Sequence, residues 1–323
     1  MNGIRTLQQA IQHFSDEQIC IDAVAQLRWP DGKPTCPACG KQDHYYLAKQ
    51  KRWKCKECWK QFSVKVGTVM EDSPIPLSKW LLAMWMLANC KNGVSSYEIH
   101  RAIGVSQKSA WFMLQRIRLA MCLDAPRKVG GSGSTVEADE TVIGGKLKNM
   151  HRSRVNKMGM AGAGAYLRNK TIVMGVKDRE ASEVRATVIP HARRENMVAM
   201  VQEHVEPETV MYTDAHIGYD NLKDFFPHEV INHVEAYVKG KVHTNGIENF
   251  WSLLKRGLGG TYIAVEPFHL QRYVDEQVFR YNHRKHGNEK MNDGDRFRLL
   301  LSQIAGKRLT WNEVTGKAGE TIN

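Results

Sequence analysis

Apolar residues recur at helical spacing through residues 76 to 122, then give way to strand-like runs beyond residue 134. In the first region Ser78 is placed to cap a helix that begins KWLLAMWMLANCKNG and stops near Gly93. Ser95 and Glu98 have capping-box spacing, and Ile99, Ala102 and Ile103 follow at helical intervals until Gly104 breaks the run. Ser106 then caps a third helix with Ala110, Met113, Leu114 and Ile117 along one face. Two helices about a short glycine turn outline a helix-turn-helix. On this reading Gln107, Lys108, Gln115, Arg116 and Arg118 face outward and suit groove or backbone contact with DNA, although plain helical packing produces the same pattern.

Residues 126–134, PRKVGGSGS, have linker composition. Beyond them strands are expected at Thr135–Gly144, Thr171–Lys177, Glu183–Ile189 and Thr209–Asp214, with a helix at Arg194–His204 before the last. Three early strands, a helix, another strand and later helices make a mixed α/β sheet. One of those later helices is capped by Asn245 and carries Ile247, Phe250, Trp251 and Leu254 on its apolar face. Residues 305 to 323 are polar and read as a loosely held tail.

The chain has 323 residues, enough for two or three domains, and 42% hydrophobic with 25% charged residues supports packed cores. Trp80 to Cys90, the longest strongly apolar stretch, is about half of the ~20 residues a membrane span needs, and MNGIRTLQQAIQHFSDEQ has no apolar signal region. The expectation is a soluble, cytoplasmic protein without a membrane partner. Forty-six Lys+Arg against 34 Asp+Glu gives a net charge of +12, which favours polyanionic partners.

Four of the 7 cysteines form two tight pairs, Cys36-x2-Cys39 and Cys55-x2-Cys58. Two such knuckles joined by a hairpin supply four thiolates, a closed tetrahedral shell suited to structural Zn²⁺. Gly40 supplies the positive φ such a knuckle often needs, and Tyr45–Leu47 with Arg52–Lys54 read as the two strands of the hairpin. Cys20, Cys90 and Cys122 fall outside the pattern and read as small core residues. The hairpin is basic, with Trp53 and Trp59 interleaved. Lys51, Arg52 and Lys54 are candidates for phosphate contact, against the plainer reading of solvated charge.

Asp139 lies in the largely apolar strand VEADETVIGG, and Asp214 ends the apolar strand VMYTDAH. A carboxylate in such a place is costly unless it is paired or binds a cation, and two on adjacent strands suit Mg²⁺. Glu140 points to the opposite face of its strand and is the weaker candidate. Glu248 and Lys255 stand two helical turns apart in HTNGIENFWSLLKRG and project from the same side. Between the first two strands, residues 145–170 carry Lys146, Lys148, Arg152, Arg154 and Lys157 without one acid, as a solvated loop or a DNA-contacting arm. GAGAYL and GGKL complete no nucleotide-binding motif. Histidines 191, 216, 243 and 283 read as structural residues, while Tyr219, Trp251 and Arg280 fit packing or phosphate contact equally.

The blocks VEADETVIGGK, YTDAHIGYDNL and HTNGIENFWSLLKRGLGGTY resemble those of bacterial insertion-sequence transposases with an N-terminal zinc ribbon and a DDE-type catalytic domain. HLQRYVDEQVFRYNHR, residues 269–284, is similar to that family's C-terminal helix, and the resemblance spans about residues 15–300. It implies a multidomain α+β protein: a zinc ribbon within 1–70, a helix-turn-helix-like domain at 74–125, a linker at 126–134, a ribonuclease-H-like mixed α/β catalytic domain at 135–265, and a C-terminal helix and tail at 266–323. It further implies two catalytic Mg²⁺ or Mn²⁺ ions, double-stranded DNA as partner (the element's ends and its target), and a homodimer on DNA. Asp139 and Asp214 match the first two acids and Glu248 the third, with Lys255 as the associated basic residue; Arg256 beside it is a further candidate for DNA contact. Some family members carry Asn at the third place, and Asn245 is near enough to be that residue. The two remaining readings are a non-catalytic regulator that binds DNA through the ribbon and helix-turn-helix, and a nuclease that cuts but never joins.

Overall fold

The computed structural model describes residues 3–122, 127–145, 151–157, 170–231, 243–286 and 289–317. The chain divides into two compact units, Met1–Leu123 with His283–Asn323, and Asp124–Asn282. Among the described residues no helix is long and apolar enough to cross a membrane.

The first unit opens with α1 (Leu7–His13), capped by a Thr6–Gln9 box, and α2 (Glu17–Arg28), capped by Asp16. The ribbon follows as an antiparallel sheet of β1 (His44–Leu47), β2 (Arg52–Cys55) and β3 (Gln61–Phe62), in that order. Trp53 on β2 packs between Trp29 and Phe62, so a small aromatic core backs the hairpin. Three helices come next: α3 (Leu77–Asn89), α4 (Ser96–Ile103) and α5 (Gln107–Met121). Pro76, and not Ser78, occupies the N-cap of α3; Ser78 already lies in the first turn. The Ser95–Glu98 box and the left-handed Gly104 (φ 62°) between α4 and α5 form as the sequence suggests.

Helix α5 departs from the expected outward stripe. Gln115, Arg116 and Arg118 are buried together with Met113, Leu114 and Ile117. Arg116 donates from Nε to the Leu309 carbonyl at 2.9 Å and from Nη1 to the Glu71 carbonyl at 2.8 Å. It is an internal brace, and its assignment as a DNA contact is corrected. Elements from the far end of the chain join α4 in covering α5. Besides α3, it meets the helix Asp293–Ser302 and the short helix Trp311–Val314. Trp311 packs its ring against Trp111 and Phe112, and Val314 is fully buried. Residues up to 317 are therefore structural, not a loose tail.

The second unit is built on a five-stranded sheet of β4 (Thr135–Ile143), β5 (Thr171–Asp178), β6 (Val184–Ile189), β7 (Val210–Asp214) and β8 (His228–Ile231). Their spatial order is β6-β5-β4-β7-β8; β4–β5 and β5–β6 are antiparallel, β4–β7 and β7–β8 parallel. This is the ribonuclease-H-like arrangement. The edge strand β8 was not legible in the sequence because it is short and two of its four residues face solvent. One face of the sheet packs Val136, Ala138, Met174 and Val176 against Met197, Met200 and Val201 of the helix Arg194–His204. The other packs Val173, Val184 and Ala186 against Ile247, Phe250, Trp251 and Leu254 of Asn245–Gly257, with Leu270, Tyr273 and Val274 of Leu270–Asn282. The short helix α6 (Arg152–Lys157) lies in the basic insertion. In chain order the helices that follow are labelled α7 (Arg194–His204), α8 (Asn245–Gly257), α9 (Leu270–Asn282), α10 (Asp293–Ser302) and α11 (Trp311–Val314). Residues 127–134 are tied to this unit rather than spanning free: Val129 is buried and bridges Val205.

Candidate metal and catalytic sites

In the ribbon the Cys36 and Cys58 Sγ atoms lie 3.6 Å apart, as do those of Cys39 and Cys55. All four sulfurs fall within 4.8 Å of one another. A tetrahedral Zn²⁺ with bonds of about 2.3 Å has sulfurs about 3.8 Å apart, so the cage has the dimensions of a structural zinc site. Each knuckle closes in the same way: Cys36 N–H donates to the Lys41 carbonyl at 2.9 Å, and Cys55 N–H to the Lys60 carbonyl at 3.0 Å. The residue after each second cysteine takes positive φ, Gly40 at 72° and Trp59 at 60°. The strained Trp59 is 63% exposed, with the Lys54 ammonium 5.0 Å from its ring centroid. Arg52 is exposed, whereas Lys51 is paired with Glu17. On α5, Gln107 donates to Ser96 Oγ at 2.8 Å and Lys108 sits 4.6 Å from the Trp311 ring centroid.

The acids of the second unit are positioned by strand register. β4 and β7 pair as Thr135↔Val210, Val136↔Met211 and Glu137↔Tyr212. The same offset carried two residues further sets Asp139 level with Asp214, at neighbouring strand positions. Asp139 faces α8, where Trp251 Nε1 donates to its Oδ2 at 3.0 Å. Glu140 takes the opposite face, accepting from the Tyr219 hydroxyl at 2.6 Å, with His216 Nδ1 3.9 Å away. Asp214 Oδ1 accepts the backbone N–H of His216 at 3.1 Å.

Burial, with the charges of Glu140 and Asp214 added, pushes the Asp139 carboxyl up to about 7. Burial raises Glu140 as well, against the Tyr219 hydrogen bond and with the charge of Asp214. Tyr219 itself is held far above the ordinary phenol range, first by burial, and stays a hydrogen-bond donor. Burial and mutual repulsion that raise the Asp139 and Glu140 carboxyls are relieved by a divalent cation, so these hard oxygen donors suit a metal of the magnesium type.

Glu248 stands exposed one turn before Trp251 on α8, its Oε1 accepting the Thr244 hydroxyl at 3.0 Å. Among the described residues the four cysteines are the only group of three or more potential ligands whose atoms lie within 4.8 Å, so Glu248 does not join Asp139 and Asp214 at ligand distance here. Asn245 is the first helical residue and Thr244 the N-cap, so Asn245 does not cap α8 as expected. Lys255 and Arg256 are exposed in the last turn. Arg152 is exposed on α6, Arg154 and Lys157 lie in the same helix, and Lys146 and Lys148 fall outside the described residues. Trp251 and Tyr219 serve packing and hydrogen bonding to the acids, and Arg280 is buried in a pair with Glu276.

Glu137 is the site residue that sequence reasoning missed. It is 1% exposed, on the same face of β4 as Asp139. Its Oε1 accepts Arg179 Nε at 2.7 Å and its Oε2 accepts the backbone N–H of Ile247 in α8 at 2.8 Å. Arg179 also donates to the His243 carbonyl at 2.6 Å. An acid in alternation with Val136 and Ala138 was the available signal, since a charged residue on an inward face must find a partner.

Two family models match the chain. Residues 130–282 fit the ISXO2-like transposase domain, and residues 15–61 the transposase zinc-ribbon domain. A protein of transposable element ISH50 from Halobacterium salinarum is 30% identical over 283 residues, covering 84% of this chain and 94% of that protein. A transposase-like protein of Haemophilus influenzae is 31% identical over 101 residues, covering 31% of this chain and 81% of that protein.

Proposed function

The chain belongs to the ISXO2-like, zinc-ribbon transposases of insertion sequences, and on that premise we propose that it binds the ends of its element, cuts them in a metal-dependent reaction and joins them to target DNA. The observation that carries the chemistry is the β4–β7 register, whose offset carried two residues beyond Glu137↔Tyr212 sets Asp139 level with Asp214, with Asp139 raised to about 7 by burial and by neighbouring carboxylates. Asp139, Asp214 and Glu248 would hold Mg²⁺ or Mn²⁺, with Asn245 as the other candidate for the third place. When bound, such ions activate water or a 3′-hydroxyl and stabilise the departing oxygen.

The protein's own groups do the rest. Trp251 fixes the Asp139 carboxylate through its N–H, and the His216 amide orients Asp214. Lys255 and Arg256, exposed beyond Glu248 on the same helix, meet the phosphates flanking the cut. Lys51, Arg52, Lys54, Gln107 and Lys108 hold the backbone of the element end, and Lys146, Lys148, Arg152, Arg154 and Lys157 the strand near the cut. Two protomers pair the two ends.

The test is an assay of the full-length protein with end-labelled duplex carrying the element's terminus, supercoiled target, and Mg²⁺ or chelator. Expected are a nick at the terminus and a joined product, both requiring metal and both lost in Asp139→Ala while end binding persists. Cleavage without joining would make the protein a nuclease, and binding alone would make it a regulator.

A further inference from the structure

Helix α8 is anchored to strand β4 at two points that share one spacing. Glu137 accepts the Ile247 N–H, and Asp139 accepts the Trp251 indole N–H. Two residues along a strand advance about 6.6 Å and four along a helix about 6.0 Å, so the two bonds run as rungs between parallel rails. A glycine admits the close approach at each rung. A Cβ on Gly246 would meet Glu137 Oε2 and Lys177 Nζ, each at 2.7 Å, and one on Gly175, which pairs with Asp139, would meet Trp251 Cη2 at 2.7 Å.

The two rungs differ in what metal does to them. Asp139 is itself a proposed ligand, so its bond to Trp251 competes with the cation. Glu137 faces no such competition: Arg179 and the helix amide occupy both oxygens, and burial keeps water away. Its negative charge also lies at the positive end of the α8 dipole, where the helix has no side-chain cap of its own.

Resting on the transposase reading, we infer that Glu137 is a positioning residue: with Arg179 it pins the start of α8 to β4 and so sets where Glu248 or Asn245 stands relative to Asp139 and Asp214. Partners that orient metal ligands in this way change metal affinity about 10–100-fold when removed.

The experiment is a Mn²⁺ titration of the full-length protein by calorimetry, with hydrogen exchange of residues 243–250 read in parallel. Glu137→Gln keeps the size and an acceptor while removing the charge. It is expected to weaken Mn²⁺ binding at least about tenfold and to speed exchange at the start of α8, while cleavage at saturating Mn²⁺ recovers toward wild type. Gly246→Ala provides a second arm should Glu137→Gln fail to fold. Helix propensity alone would make it benign or stabilising, whereas the inference expects the same loss of Mn²⁺ affinity. Unchanged Mn²⁺ affinity in a folded variant of either kind would overturn the positioning role, as would activity falling only with the folded fraction. Absence of DNA cleavage by wild type alongside weakened Mn²⁺ binding in the variants would instead remove the transposase reading and leave the positioning role standing.

Discussion

Asp139 is a buried carboxyl that the metal-free fold holds at a cost in stability. Its carboxyl is raised to about 7 in the fold, against an ordinary value of 3.8. Between those values the folded metal-free protein keeps a proton that the unfolded chain releases, so stability falls as pH rises from about 4 through about 7. Asp139→Asn is expected to flatten that dependence and to melt higher than wild type at pH 8 without metal, by about 2–4 °C for each kcal/mol recovered. It should also abolish cleavage. A melting profile against pH for the two proteins checks the sign; a variant that melts lower at pH 8 would contradict it. Arg116 makes the complementary case. Arg116→Ala leaves the Leu309 and Glu71 carbonyls without their donor, so it should lower stability by about 1–3 kcal/mol in urea unfolding. Lys108→Ala should leave stability almost unchanged.

Helix α8 and the zinc ribbon are the elements on which the account turns. Gly175→Ala puts a methyl 2.7 Å from the Trp251 ring and tilts the indole away from Asp139. A destabilisation of about 1–3 kcal/mol is expected, measured by urea unfolding. Cys55→Ser opens the thiolate cage; zinc release measured with a chromogenic chelator should fall from one ion per chain to none, and the near-UV signal of Trp53 should collapse. The ribbon was legible because its ligands are close in sequence and their spacing is the chemistry. The capping box of α4 and the glycine turn before α5 were legible for the same reason. Glu137 was not, because its partners Arg179 and Ile247 lie far along the chain and only strand pairing and the packing of α8 on the sheet bring them together. Arg116 misled because a charged residue on a helix ordinarily faces water, and its real partners sit near the C-terminus.

At the scale of the whole molecule the net charge of +12 favours a polyanionic partner, which the proposed function takes to be DNA. Affinity for the element end should fall steeply with salt. Arg52→Ala or Lys108→Ala should each reduce the slope of log affinity against log salt by about one while weakening all DNA sequences alike. The family, the zinc ribbon and the sheet that aligns Asp139 with Asp214 stand together, and the central claim built on them is a divalent-cation site on that sheet. Iron-mediated cleavage of the polypeptide tests it most directly. With Fe²⁺ replacing Mg²⁺, ascorbate and peroxide should cut the backbone near residues 139, 214 and 245–248, and excess Mg²⁺ or Asp214→Asn should suppress all of these cuts together. Cuts confined to the ribbon at 36–58, or cuts at the acids that persist in Asp214→Asn, would contradict it.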